Sequence, residues 1–306
     1  MNKKVDFFLI GAPKCGTTSL SAYLSEHKNI CFSNPKEPCY FATDIFTNKR
    51  LQSTNDYLKC FSRNNKHIVA GEGSVTYLFS QVAIKKILAY NPDAKFIIML
   101  RNPVDMTYSW HAQKCFEHQE DVIDFEKAWF LQDKRKKGKA IPEYCTIPQY
   151  LQYKEWGLFG KQISVLFDKV NPDNCFIIIF EEFIKNNKKI YKELLFFLGV
   201  TDDCRKDFKK YNENKVVKNY KIDQLRIKLT RICQENTIVA VLYKIFLKTL
   251  GLRRLGLQKL LISLNYSEGK RKPLSQNFRN LLLNEFKDDI KVLEKILNRD
   301  LSSQWK

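Results

Sequence analysis

Histidine is scarce in this chain, four in 306 residues, and its nine cysteines include no C-x-x-C pair. The donor sets of structural zinc sites are therefore missing and no disulfide framework is suggested, so the thiols read as buried or incidental in a reducing compartment. Carboxylates are also short, 33 against 52 lysines and arginines. Long apolar runs are absent: IVAVLYKIFLKTLGL (238–252) carries two lysines and is too short and too charged to span a bilayer. No basic segment followed by an apolar one precedes the first apolar run, which begins near Val5. There is no internal repeat, no low-complexity tract and no recognised nucleic-acid motif. These absences predict a soluble, cytoplasmic chain without a zinc site.

What is present is apolar material and positive charge. Hydrophobic residues make up 44% and aromatics 13%, which suits a packed globule rather than a disordered chain. The length is ample for one large α/β domain. A net charge of +19 points to anionic partners: nucleotide, nucleic acid, acidic glycan or anionic lipid. Lysines scattered over solvated helix faces account for part of it.

VDFFLIG is an apolar run closed by glycine, as a buried strand requires. TSLSAYLSEH continues at helical spacing, with Thr17 or Thr18 expected as N-cap. HIVAGE (67–72), AKFIIMLRNP (94–103) and CFIIIFEEF (175–183) are further strand-type runs, separated by helical stretches. The alternation predicts an α/β fold, P-loop-like and three-layered, with a central parallel sheet covered by helices on both faces. Residues 119–146 read as a charged surface loop. From about 205 the chain reads as lysine-rich and helical with no clear strand, ending in the helix NFRNLLLNEFKDDIKVLEKILN. The whole is read as one domain, 1–204 an α/β core and 205–306 a helical region.

The chemistry concentrates in four segments. Gly11 and Gly16 satisfy the glycine spacing of a nucleotide P-loop, yet Thr17 and Thr18 stand where that loop needs Lys and Ser/Thr. The lysine, Lys14, lies between the glycines. A strand, a glycine loop and a helix start still aim loop amides and the helix dipole at an anion. P-loop NTPases hold magnesium with an Asp after another strand; here the strands end in Glu72 and Arg101. The loop is therefore expected to bind its anion without metal. Arg101, and Ser109 on the helix that Pro103 helps to start, suit one phosphate between them; pairing of Arg101 with a carboxylate is the alternative. SEGKRKPLS (267–275) is either a solvated turn or a mobile cover over a phosphate. In SNPKEPCYF (33–41), Glu37 is either a general base or an ion-pair partner for Lys36.

The ordered set PKCGTTSL, PKEPCYF, GEGSVTYL (71–78), LRNPVDMTYSW, EEF (181–183), FLGV (197–200) and GKRKPLS resembles the sulfotransferases that use 3′-phosphoadenosine 5′-phosphosulfate (PAPS). The heparan-sulfate-type carbohydrate branch and its bacterial relatives are the nearest in pattern. The resemblance covers nearly the whole chain and is weakest at 119–146 and 221–262. It implies a 5′-phosphosulfate cradle at Lys14, Cys15, Gly16, Thr17, Thr18 and Ser19, and a 3′-phosphate site at Arg101 and Ser109. It further implies a closing loop at Gly269, Lys270 and Arg271, and a catalytic base at Glu37 with Lys14 neutralising charge on the leaving phosphate. PAPS would be the co-substrate and no metal would take part.

Three positions depart from the family pattern: Cys39 for a histidine, Gly73 for a lysine and Met106 for an arginine. The first two lie on the acceptor side, so the motifs do not specify a glycosaminoglycan. The expected acceptor is a hydroxyl on a saccharide, glycolipid or small metabolite, with no nucleic acid. The basic stretch 225–262 either contacts a membrane surface or packs its apolar face on the sheet domain. Two rival functions are a nucleotide-dependent P-loop enzyme such as a kinase and a basic membrane- or nucleic-acid-surface binder. The displaced lysine argues against the first, the lack of a nucleic-acid motif against the second.

Overall fold

A computed structural model of the protein describes residues 4–45, 51, 53–209, 211, 215–217, 266–268 and 271–305. Gly269, Lys270 and the stretch 225–262 lie outside the described residues. The chain divides into two compact units, one of Met1–Cys115, Gln119–Tyr211 and Leu274–Lys306, the other of Phe116–His118 and Asn212–Pro273.

The first unit is built on a five-stranded parallel sheet. Its strands are β1 (Phe7–Gly11), β2 (Ile30–Phe32), β3 (Val69–Glu72), β4 (Lys95–Leu100) and β5 (Cys175–Ile179), in the spatial order β2-β3-β1-β4-β5. Phe7, Phe8, Leu9 and Ile10 are all 0% exposed, which is why β1 reads as an unbroken apolar run. A central strand covered on both faces has no polar side to alternate with.

Helices follow the strands: α1 (Thr17–Glu26), α2 (Thr54–Leu58), α3 (Ala83–Tyr90), α4 (Pro103–Phe116), α5 (Phe125–Phe130), α6 (Gln132–Lys136), α7 (Tyr153–Gly157), α8 (Phe159–Phe167), α9 (Phe180–Lys185), α10 (Asn187–Leu198) and α11 (Gln276–Leu297). The α11 helix, expected from sequence, packs on α8. The Asp289 carboxylate accepts the Gly160 and Lys161 amides at 2.7 and 2.8 Å, capping α8. A side chain at Gly160 would collide with the Asp289 carbonyl at 2.2 Å, so only glycine permits this approach. Among the described residues, no helix is long and apolar enough to cross a membrane.

Four expectations need correction. Gly16, in the left-handed region, is the N-cap of α1 and makes no side-chain cap, while Thr17 is already helical. Residues 119–146 are not a surface loop throughout: Phe125, Ala128 and Trp129 form a buried face of α5, and Arg135 of α6 pairs with Glu120 at zero side-chain exposure. Charge at 133–139 hid that face from a composition reading. Within 175–183 the strand stops at Ile179, and EEF lies in α9. Finally, the region after 205 does hold strands: in the second unit, β6 (Lys215–Val217) pairs antiparallel with β7 (Tyr266–Glu268). Three-residue strands such as β6, β7 and β2 are too short to show a period.

Candidate active site

In a parallel sheet all strands end on one edge, and here every ending carries a group of interest. β1 leads into the Lys14 loop, β2 into the Glu37 segment, and β3 closes on Glu72; Arg101 follows β4 and Phe180 follows β5. β1 lies in the middle, with β2 and β3 to one side and β4 and β5 to the other. Such a reversal in strand order opens the crevice where α/β sheets bind ligands.

Lys14 (φ 62°) and Gly16 (φ 90°) both take left-handed backbone. For a lysine this conformation is unfavourable, and surrounding contacts must hold it. One is the hydrogen bond from Lys14 Nζ to Gln113 Oε1 at 3.1 Å. Gln113 stands one helical turn after Ser109 on α4, so the two share a face. A side chain at Gly16 would meet the Phe180 ring at 2.9 Å. The Arg101 guanidinium lies over that ring, 5.0 Å from its centroid. Phe180 therefore adjoins both the glycine loop and the arginine. Burial pushes the Cys15 thiol far up, and the charges of Arg101 and Lys14 act against that shift. Both cations are thus felt at the base of the loop.

Arg101 Nε is buried and has no hydrogen-bond partner. Glu181 is committed elsewhere, accepting the Asn102 amide and the Trp305 indole N–H, each at 3.1 Å. A buried donor without an acceptor is costly, and an anionic oxygen brought by a ligand satisfies it. The residues therefore fit a phosphate-bearing co-substrate, and carboxylate pairing of Arg101 finds no support among the described residues.

On the other side of β1, Glu37 (φ 63°) and Cys39 (φ 54°) are also left-handed. Glu37 Oε1 accepts from Lys36 Nζ at 2.8 Å, and its side chain is 38% exposed. The ion pair is real, yet the carboxylate reaches solvent. Burial pushes the Cys39 thiol up to about 12, helped by the charges of Glu37 and Glu72. Glu72 is fully buried. Its oxygens accept from Tyr57 at 2.8 Å, Tyr77 at 3.1 Å and Ser74 at 2.5 Å.

The glycine loop, Arg101 and the α4 face bearing Ser109 thus come together. Arg271 is half-buried and belongs to the second unit. Sequence reasoning missed Gln113, whose signal is its one-turn spacing from Ser109. It missed Phe180, which looks like a continuation of CFIII, and it quoted Glu72 without giving it a role.

A glycine loop between strand and helix, faced by lysine and arginine at a switch in strand order, defines an α/β protein that handles phosphate-bearing ligands. The chain belongs to the sulfotransferase domain family, which matches residues 4–235. Among curated proteins it is 30% identical over 118 residues to the bifunctional heparan sulfate N-deacetylase/N-sulfotransferase 1 of Caenorhabditis elegans, covering 38% of this chain and 14% of that one. It is 31% identical over 146 residues to mouse carbohydrate sulfotransferase 15, covering 34% and 26%. The match thus spans only a minor part of these relatives. A sulfotransferase from Alicyclobacillus acidocaldarius has the same fold, with a TM-score of 0.70, 23% identity, and coverage of 99% of this chain and 100% of that one.

Proposed function

We propose that the chain moves a sulfuryl group from PAPS to a hydroxyl of a saccharide or glycolipid, and that residues 1–306 act as one sulfotransferase domain. The observation that carries this is the unpartnered, buried Arg101 Nε beside a glycine loop that holds Lys14. PAPS, when bound, supplies an activated sulfuryl group whose departure leaves charge on a phosphate oxygen. The loop residues Cys15 and Gly16 and the first turn of α1, with the hydroxyls of Thr17, Thr18 and Ser19, hold the 5′-phosphate. Arg101 and Ser109 hold the 3′-phosphate. Lys14 neutralises the leaving charge, which preorganised cations do without reorganising at the moment of reaction. Glu37 takes the acceptor proton. Cys39 does not stand in for a histidine, because a thiol pushed up to about 12 does not exchange protons near neutrality. Gly269, Lys270 and Arg271 are assigned to the same co-substrate by the family motif alone.

The names of the relatives point to carbohydrate, and Glu37 as a base suits an acceptor that gives up a proton, here read as a hydroxyl. With Lys14 in the loop, Arg101 after β4, and the Glu72 carboxylate at the end of β3 enclosed by hydroxyls, the reaction is read as metal-free. The free thiols fit a cytoplasmic setting.

The test is transfer of radiolabelled sulfate from PAPS to a panel of oligosaccharides, glycolipids and metabolites, with and without EDTA. Label on a saccharide, unchanged by chelation, is expected. Magnesium-dependent ATP hydrolysis with no PAPS binding overturns the reading.

A further inference from the structure

Glu72 is a buried carboxylate that no step above uses. Among the described residues its hydrogen-bond partners are hydroxyls and none is a cation: Tyr57 from α2, and Ser74 and Tyr77 from the segment after β3. The ionised carboxylate is acceptor-only, so in that form each of these hydroxyls spends its single hydrogen on Glu72 and turns its lone pairs outward. Two of them are then used by the same short stretch of backbone. Ser74 Oγ accepts the amide of Cys39 at 3.0 Å, and Tyr77 Oη accepts the amide of Phe41 at 3.2 Å. Tyr57 holds the residue between them, its ring stacked on Tyr40 at 4.9 Å and 14°. The carboxylate therefore organises residues 39, 40 and 41, which begin two residues after Glu37.

The cost of this arrangement shows what it is for. Burying a carboxylate with no countercharge is expensive, and well-packed apolar side chains generally hold a fold together at least as well. What the carboxylate adds is direction. It sets the polarity of hydroxyls that grip a segment whose Glu37 and Cys39 both take left-handed backbone, a conformation that surrounding contacts must impose.

We propose that Glu72 is the positioning residue of the Glu37 segment: through Ser74 and Tyr77 it holds the Cys39 and Phe41 amides and so sets where the Glu37 carboxylate stands. This rests on the reading of Glu37 as the base, and the experiment separates the two.

The variants are Ser74→Ala, Tyr77→Phe and Glu72→Leu, each alone and with Glu37→Gln. The first readout is alkylation of individual thiols by N-ethylmaleimide at pH 8, followed by peptide mass spectrometry. Cys39 is the reporter, and buried Cys15, Cys31 and Cys60 are controls. All three variants should speed Cys39 labelling while the controls keep wild-type rates; general loosening would raise every thiol. The second readout is sulfate transfer from PAPS to the best acceptor of the panel. Turnover should fall roughly 10- to 100-fold, as for a displaced reacting group, with KM for PAPS unchanged. In the Glu37→Gln background the same variants should cost almost nothing more, because residues acting through one group are not additive.

Full additivity in that background, wild-type Cys39 labelling, or release by Ser74→Ala and Tyr77→Phe but not by Glu72→Leu overturns the proposal. If Glu72→Leu does not fold, the two hydroxyl variants carry the same test. If Glu37→Gln alone turns over like wild type, the base assignment fails, while thiol labelling still decides whether Glu72 anchors the segment.

Discussion

Lys14 Nζ donates a hydrogen bond to Gln113 Oε1 at 3.1 Å, across 99 residues of sequence. The contact ties the lysine of the glycine loop to the helix that carries Ser109, so the two halves of the proposed PAPS site are joined before any ligand arrives. Gln113→Ala should leave the fold intact and lower kcat/KM for PAPS by about fivefold, the equivalent of one ordinary hydrogen bond at about 1 kcal/mol. Steady-state kinetics check this, and an unchanged kcat/KM means that Gln113 does not orient Lys14.

Arg101 offers a buried Nε with no partner and lies over Phe180. Arg101→Ala should weaken adenosine 3′,5′-bisphosphate by ~1.5–3 kcal/mol, the range for a hydrogen bond to a charged group. The preference for PAPS over adenosine 5′-phosphosulfate, which lacks the 3′-phosphate, should shrink in parallel. Calorimetric titration of both nucleotides decides it; an equal loss for each would remove Arg101 from the 3′-phosphate.

Burial raises the Glu72 carboxyl from 4.5 to about 7, and the hydroxyls of Ser74, Tyr57 and Tyr77 restrain the rise. A folded-state pKa above the unfolded one means that the folded chain holds the proton more tightly. The contribution is therefore full below about pH 4.5 and is lost as pH climbs through 7, by roughly 3 kcal/mol. Glu72→Gln does not titrate. Between pH 4.5 and 8 the wild type should lose stability relative to that variant, seen in paired denaturant titrations. A constant difference between the two proteins across this range would contradict the shift.

Glu120 and Arg135 form a bidentate pair at 2.6 and 2.7 Å with no side-chain exposure, and Tyr153 donates to the same carboxylate. Burial opposes the Glu120 charge, but the Arg135 and Tyr153 hydrogen bonds outweigh it and hold the carboxyl below its ordinary value. The resulting stability is present above the unfolded pKa and is lost as pH falls through the folded one. Glu120→Ala should cost about 3–5 kcal/mol, because it leaves a buried guanidinium uncompensated. Affinity for adenosine 3′,5′-bisphosphate should be preserved in the folded fraction. A loss under 1 kcal/mol in urea titration would show that water reaches Arg135.

Much of the α/β core was readable because its central strands are buried on both faces. FFLIG and FIIML stand out as apolar runs for that reason, and CFIII is equally apolar although its first three residues are only partly buried at the sheet edge. The segment 119–146 was not readable, because Glu120 and Arg135 look like surface charges until each is seen to neutralise the other. The Thr17 and Thr18 hydroxyls suggested an N-cap, but Gly16 takes the left-handed turn that starts the helix without one.

The sequence by itself determined the family and the glycine loop. The order Gly11–Lys14–Gly16 after an apolar strand needs no partner from elsewhere, since loop and helix start are local structure. It also marked Arg101 and Glu37, through short motifs next to strands. Only the tertiary structure decided which groups these residues meet. Phe180 meets both Gly16 and Arg101 because β4 and β5 are neighbours on the same side of β1. Glu72 reaches Tyr57, and through Ser74 the Cys39 amide, because β3 lies beside β2. Strand order is set by how the apolar faces of sheet and helices close on one another, and no periodicity along the chain encodes it.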